Sequence, residues 1–421
     1  MRHQPDFRSA AFLREHILHT MAFYDGRCID PSGGFFHFFK DDGTVYDRTT
    51  RHLVSSTRFV FTHAMAARHF PAHPRAVAWQ EAARHGLRFV REVHRDPASG
   101  HYAWLLRFEG GHAQVLDATR HCYGLAFVLL AHAHALMAGL DDARAGLEET
   151  VELMDHQFWE PQHTLYADEA TPDGVVSPYR GQNANMHACE AFMAAFDATR
   201  DPAYLARAAA IAEAVTQGLA AHADGLIWEH YRSHDAQAWE PDWDYNRDDR
   251  SNIFRPWGFQ TGHLTEWAKL LIGLESRLPG LADDNWLLQR ARELFAAAVE
   301  HGWDRHHDGL VYGFAPDALH PGRMAVCDDE KYFWVQAESL AAAAVMAARL
   351  GDGGYWGWYD RIWAYAWRHF VDHEHGAWYR ILSADNRKLS DEKSPAGKVD
   401  YHTMGACYEA LGALGALGHR S

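Results

Sequence analysis

No block of lysine and arginine occurs along the 421 residues, and the formal net charge is −16. Nucleic-acid binding rests on a basic patch that neutralises phosphates, so that class of partner is set aside. The acidic balance favours solubility and says little about substrate. No apolar stretch approaches the roughly 18 residues that would span a bilayer, so no membrane partner is expected. The first twenty residues lack a basic start followed by an apolar run; no signal peptide is expected there, and a cytoplasmic location is. Cysteine is scarce. Cys28, Cys122, Cys189, Cys327 and Cys407 are scattered, none forms C-x-x-C, and an odd number argues against a disulfide framework. No Pro/Ser/Gly-rich linker or low-complexity run breaks the chain, so residues 1–421 read as one domain. At 48% hydrophobic and 23% charged residues, the composition suits a globular protein and excludes a disordered one.

What is present is a repeat. An acidic or turn-forming start and a glycine are followed by alternating aromatic and apolar residues. The pattern runs from Asp30 to Phe39, Asp96 to Trp104, Asp224 to Glu229, Asp308 to Gly313 and His375 to Arg380. A sixth copy, Glu160 to Asp168, has Thr164 where the others have glycine. Each copy reads as a short hairpin or extended loop. The copies recur about every 61 to 67 residues, except for one interval of about 84 that holds an extra segment, Arg232 to Arg255.

Each interval fits two helices. One is amphipathic and charged, as in Arg75 to His94, Asp201 to Gly218 and Asn285 to His301. The other is rich in Ala, Leu and Gly, as in Tyr123 to Gly139, Asn185 to Thr199, Leu340 to Leu350 and Met404 to Leu417. A helix apolar nearly all round is buried nearly all round. Six buried helices inside six amphipathic ones predict an all-α fold, an (α/α)6 barrel with short β-hairpins and loops around one mouth.

Polar residues collect near the N-terminal turns of the inner helices. They are Arg51, His52 and Arg58 on the first, and Asp117, Arg120 and His121 on the second. The third carries Gln182, Asn183, Asn185, His187 and Glu190, and the fourth Gln260, His263 and Glu266. The fifth carries Lys331, Trp334, Gln336 and Glu338, and the sixth Asp400 and His402. Inner helices running one way bring these groups to one mouth, the default place for a ligand. Most of the 31 histidines read as structural or exposed, among them His132, His134, His306, His307, His373 and His375. His187, His263 and His402 differ, because three helices place them at similar depth. His187/Glu190 and His263/Glu266 have the i,i+3 spacing of one helix face, which suits an orienting hydrogen bond. Two His and two Glu also suit a metal. Neither H-E-x-x-H nor a Cys/His cluster is present, so no metal or other cofactor is expected.

The set suits proton transfer beside a carbonyl. Neutral imidazole serves as base and then acid near neutral pH. Helix N-termini disfavour imidazolium and favour an enediolate. Arg58 is placed to polarise the carbonyl oxygen. Glu266 and Glu338 are candidates to orient a histidine or bind hydroxyls, Gln336 joins the substrate-binding set, and Trp257 and Trp334 are candidates to stack on a sugar.

The stretch from Arg255 to Leu271 resembles the signature of the N-acylglucosamine 2-epimerase superfamily, closest to its mannose isomerase branch. The resemblance extends to Ser56–Arg58, Asn183–Glu190, Lys331–Glu338 and Asp400–His402, so it spans nearly the whole chain. It implies an (α/α)6 barrel and metal-free isomerisation or C2 epimerisation of a free monosaccharide through an enediol. It further implies catalytic histidines at His263 and His402, the carbonyl-side arginine at Arg58, and substrate contacts at Asn183, His187, Glu266 and Glu338. Thr261 departs from the pattern, where proline is expected before Gly-His. The branch implied is aldose–ketose isomerisation of D-mannose and D-fructose, extending to D-lyxose and D-xylulose, by a monomer or homodimer. A 2-epimerase needs the same two histidines and stays open. An inverting glycoside hydrolase on the same barrel would use two carboxylates from Asp244, Asp248, Glu266 and Glu338, about 6.5–9.5 Å apart. A non-enzymatic sugar-binding protein would not need two histidines facing one ligand.

Overall fold

The computed structural model describes residues 4–233, 238–249, 252, 254–282 and 285–417. Residues 234–237, 250, 251 and 253 of the extra segment lie outside them. Twelve α-helices alternate between two layers among the described residues. The outer ones are α1 (Ala10–Tyr24), α3 (Ala76–Phe89), α5 (Ala143–Phe158), α7 (Pro202–Glu213), α9 (Trp286–Gly302) and α11 (Gly353–His369). The inner ones are α2 (Leu53–His69), α4 (Cys122–Met137), α6 (Gln182–Thr199), α8 (Thr261–Glu275), α10 (Phe333–Leu350) and α12 (Tyr401–Ala413). Inner helices pack in sequence order, and α12 returns to α2, so the ring closes. α1 packs on α12, while every other outer helix packs on a chain-adjacent inner one. No helix is long and apolar enough to cross a membrane among the described residues.

The two layers start differently. Several outer helices begin on side-chain caps: Ser9, Asp201, Asn285 and Asp352 each accept from a first-turn N–H. Five inner helices give their first N–H to a carbonyl of the following hairpin, and α2 alone of these adds a side-chain cap, His52 accepting from Val54 N. These bonds run from Leu53 to Trp104, Cys122 to Asp168, Gln182 to Glu229, Thr261 to Tyr312 and Phe333 to Arg380, at 2.8–3.2 Å. The corresponding carbonyl of the first hairpin, His37, accepts from Ser394 Oγ at 2.6 Å, which ties the chain's end to its beginning. The barrel is thus stitched unit to unit at the mouth end, and Trp104, Asp168, Glu229, Tyr312, Arg380 and His37 occupy one repeated position.

Five hairpin copies close as expected, with antiparallel bridges at Ile29/Phe35, Arg95/Tyr102, Trp159/Tyr166, Trp303/Leu310 and Val371/Trp378. The copy without glycine still turns, because Thr164 adopts a left-handed φ of 58°. The fourth copy closes on the preceding 3₁₀ turn instead, with Gly225 N–H on Ala220 O at 2.9 Å. Strand 230–232, at the entry to the extra segment, pairs with 179–181, and the segment adds strand 240–241 on its far side. Beyond them Arg255 pairs with Glu169 at 2.6 Å.

Candidate active site

A narrow cavity lies at the mouth end of the barrel axis. It is lined by Arg58 from α2, Tyr123 from α4, Asn183 and His187 from α6, His263 and Glu266 from α8, Trp334 from α10 and His402 from α12. Phe254, Pro256, Tyr312 and Lys398 close it from the loops. Helix geometry explains the inward set. Arg58, Phe127, His187, Glu266 and Glu338 each stand five residues after the first residue of their helices, so they share one level and one face.

The two histidines expected to be catalytic are held alike. His402 Nδ1 lies 2.6 Å from Glu338 Oε1 and His263 Nδ1 lies 2.9 Å from Glu229 Oε1. A carboxylate on Nδ1 fixes the tautomer that leaves Nε2 as the basic nitrogen. Glu338 Oε2 accepts from Lys269 Nζ at 2.5 Å. Glu229 Oε2 accepts from Gln182 Nε2 at 2.9 Å, and Trp267 Nε1 donates to Gln182 Oε1 at 2.7 Å. Trp334 stands between the imidazoles, its ring centre 5.1 Å from His263 and 5.7 Å from His402. Gly262 makes this approach possible, because a Cβ there would collide with the Trp334 ring. The start of α12 is pinned as well: Asp400 accepts from Tyr24 at 2.5 Å, Arg380 at 2.6 Å and Thr403 at 2.7 Å.

Burial, reinforced by the charges of Arg58, Lys398 and Lys269, holds His402 well below the usual histidine range, which favours the neutral imidazole. Burial also lowers His187, against the opposing pull of Glu190, whose Oε2 lies 3.0 Å from His187 Nδ1. Glu266 is pushed the other way. Burial and the neighbouring Glu338 raise it well above the usual carboxylate range, so it rests as a neutral acid able to donate. Arg58 is 2% exposed; it donates to Gly397 O and to Tyr123 Oη, the latter at 3.2 Å, between the faces of Phe127 and Tyr401.

Both oxygens of Glu266, Asn183 Oδ1 and Trp334 Nε1 are buried without a hydrogen-bond partner among the described residues. Three residues that offer hydrogen bonds around one cavity form a surface suited to a polyhydroxylated ligand.

Several expectations are corrected. Gln336 does not face the cavity. Its amide accepts from Leu310 N at 3.0 Å and donates to Leu310 O at 2.7 Å, which braces a hairpin. Glu338 stands behind His402, with its carboxylate on the imidazole Nδ1, and lies outside the cavity lining. His263 pairs with Glu229, not with Glu266, because the carboxyl of Glu266 turns toward Glu338 and His402. Trp257 donates to Trp243 O at 2.7 Å and does not line the cavity. Thr261 starts α8, and its N–H bonds Tyr312 O at 3.2 Å, a bond that proline cannot make. None of His132, His134, His306, His307, His373 and His375 lines the cavity.

Two groups bring metal-ligating atoms within 4.8 Å of one another: His187, Glu190 and Glu266, and Glu266, Glu338 and His402. Their donors fit a cation poorly. Glu338 already serves His402 and the Lys269 ammonium, and Glu190 serves His187 and Tyr401. The same distance places Glu266 and Glu338 too close for the carboxylates of an inverting hydrolase. Asp244 and Asp248 are exposed.

Residues 34–406 match the family model described as N-acylglucosamine 2-epimerase. The chain belongs to the N-acylglucosamine 2-epimerase family. A D-mannose isomerase of Marinomonas mediterranea is 51% identical over 97% of this chain and 99% of its own. Another from Thermobifida fusca is 38% identical, over 76% of this chain and 75% of its own. A crystal structure of a D-mannose isomerase superposes with a TM-score of 0.90 at 50% identity, covering 97% of this chain and 100% of that one. The fold alone is shared with the cellobiose 2-epimerase of Spirochaeta thermophila, at a TM-score of 0.82, 21% identity and 96% coverage of both chains. This family member is an enzyme, a sugar isomerase with an (α/α)6 barrel.

Residue-by-residue reading of the helices missed Glu229, Lys269 and Lys398. Glu229 ends the fourth hairpin copy, at the repeated position whose carbonyl receives the first N–H of an inner helix, and that register was the available signal. Lys269 lies two turns into α8, where a charge in an otherwise apolar helix marks a buried pair. Lys398 sits in a loop with no pattern to mark it.

Proposed function

We infer that the enzyme interconverts D-mannose and D-fructose and, with the same C2 configuration, D-lyxose and D-xylulose, without a metal. The observation that carries this reading is the pair of imidazoles whose Nδ1 atoms are both taken by carboxylates, so that both Nε2 atoms serve one cavity. The relatives at 51% and 38% identity, both D-mannose isomerases, support the substrate. An unphosphorylated sugar fits the charges as well. Arg51 is committed to Asp30 at 2.5 Å and Lys331 to Asp304 at 2.8 Å, which leaves them no role in a phosphate site.

His402, neutral at rest, takes the proton from C2 of the open-chain aldose. Glu338 then stabilises the imidazolium through Nδ1, as a carboxylate does for a catalytic histidine. Arg58 holds the oxygen on which charge develops. Glu266 donates to a sugar hydroxyl, Asn183 accepts from one, His187 adds a contact and Trp334 packs on a sugar face. His402 returns the proton to C1, which gives the ketose. His263, backed by Glu229, assists ring opening or serves as second acid–base group.

His263 also favours a second reading, C2 epimerisation, in which it protonates the opposite face. Substitution and product analysis test both. His402→Ala should lose about 10²- to 10⁴-fold in kcat while calorimetry still detects mannose binding. Near-normal turnover would reject His402 as the base, and glucose as the product from mannose would favour the epimerase.

A further inference from the structure

An aldose–ketose isomerisation moves two hydrogens. One passes from C2 to C1, and a second must pass from the C2 oxygen to the C1 oxygen. Histidine chemistry on carbon accounts for the first only. Arg58 is unsuited to the second, because a guanidinium does not give up its proton in a protein.

One ammonium group in the cavity has no other task. Lys398 lies on the 395–398 turn, closed by Lys398 N–H on Pro395 O at 2.9 Å. α2 grips that turn on both sides: Ser55 Oγ accepts from Gly397 N–H at 2.9 Å, and Arg58 donates to Gly397 O. Gly397 has a left-handed φ of 71°, and a Cβ there would press on Phe254 at 3.2 Å. The turn therefore delivers the lysine beside Arg58 in a fixed position. Lys398 Nζ lies 5.6 Å from the centre of the Phe254 ring and 5.7 Å from that of Trp334, in the wall of the cavity that His402 and His263 share. No hydrogen bond or ion pair holds the ammonium among the described residues, whereas the buried Lys269, Lys331 and Lys393 each bind a carboxylate.

We propose that Lys398 is a further catalytic residue, which carries the proton between the C1 and C2 oxygens of the sugar while His402 carries the proton between the carbons. This rests on the isomerase reading above. As His402 takes the C2 proton, the Lys398 ammonium protonates the aldehyde oxygen at C1, and the neutral enediol forms. As the His402 imidazolium protonates C1, the hydroxyl at C2 returns its proton to the Lys398 amine, and the ketone forms. The C2–H and O2–H bonds break, the C1–H and O1–H bonds form, and both side chains end as they began.

The surroundings suit a group that must both give and accept. Burial, with the charges of Arg58 and Arg380, lowers Lys398 from the usual lysine range to about 7, and Glu266 opposes the shift only in its ionised form. His187, His263 and His402 are the remaining titratable side chains of the cavity wall besides Tyr123 and Tyr312.

Arginine and methionine substitutions provide the test, each checked for folding by melting temperature and for mannose binding by calorimetry. Lys398→Met and Lys398→Arg should both lose at least about 10²-fold in kcat with KM within a few-fold, since a fixed charge does not shuttle a proton. Added ethylamine should restore part of the activity of Lys398→Ala and leave His402→Ala unchanged. The native enzyme should lose kcat/KM above about pH 7 as the ammonium titrates, and Lys398→Arg should lose that limb. Lys398→Arg turnover within about threefold of native would overturn the shuttle and leave a charge role. Native enzyme that makes glucose instead of fructose would overturn the isomerase reading itself, and the shuttle with it, because epimerisation needs no exchange between the oxygens.

Discussion

Glu338→Gln isolates the group that makes His402 a base. The carboxylate holds the imidazole through Nδ1 at 2.6 Å and the Lys269 ammonium at 2.5 Å, and all three groups are buried. An amide of the same shape can turn its NH2 toward Nδ1, which drives the proton to Nε2 and removes the lone pair that would take the C2 proton. The expected cost is about 10²- to 10⁴-fold in kcat, or roughly 3–5 kcal/mol of barrier, with KM within a few-fold. Stability falls too, because breaking a buried pair costs about 3–5 kcal/mol. Lys269 also lines a cavity of about 500 Å3 at the other end of the barrel, so water limits the cost to the lower end of that range, about 3 kcal/mol. Lys269→Met separates the two effects. It removes the ammonium and leaves Glu338 on His402, so it should melt early yet keep kcat within about tenfold. Initial rates of fructose formation from mannose, read beside melting curves, provide the assay. Turnover of folded Glu338→Gln within about threefold of native would refute the tautomer argument.

Glu266→Gln should stabilise the protein increasingly as pH rises. A carboxyl raised by burial is protonated in the fold and ionised in the unfolded chain above about pH 4.3, so it costs stability as pH climbs from there toward its folded value. Melting curves at pH 4 and pH 8 check this, and an equal shift at both would contradict it. Exhaustive chelation should leave the rate unchanged; loss restored by one divalent ion would make ligands of Glu266, Glu338 and His402. Gln336→Leu should lower the melting temperature, by roughly 1–3 kcal/mol of lost bonds to Leu310, and leave KM for mannose unchanged. A large rise in KM would return Gln336 to the binding set.

The barrel was legible because its signals repeat. Six hairpin copies set the period, and helices apolar all round, such as α4 and α10, have no place except inside a second layer. The inward level of Arg58, His187 and Glu266 follows from helical spacing once each start is known. Pairing across helices was less legible. The spacing of His263 and Glu266 suggests a local bond, yet the fold brings Glu229 to His263 from a different element, and helical period carries no information about that. Gln336 misled for a related reason: it shares the polar start of α10 with Trp334 but faces the hairpin behind it. Lys398 was hidden because its position depends on a turn anchored by Ser55 and Arg58, more than three hundred residues earlier in the chain.

In the proposed reaction one base on one face moves hydrogen from C2 to C1. Proton NMR of D-mannose incubated with the native enzyme in D2O tests it most directly. Fructose carrying deuterium at C1 is the expected first product. Glucose deuterated at C2, present from the start and without free fructose, would contradict it.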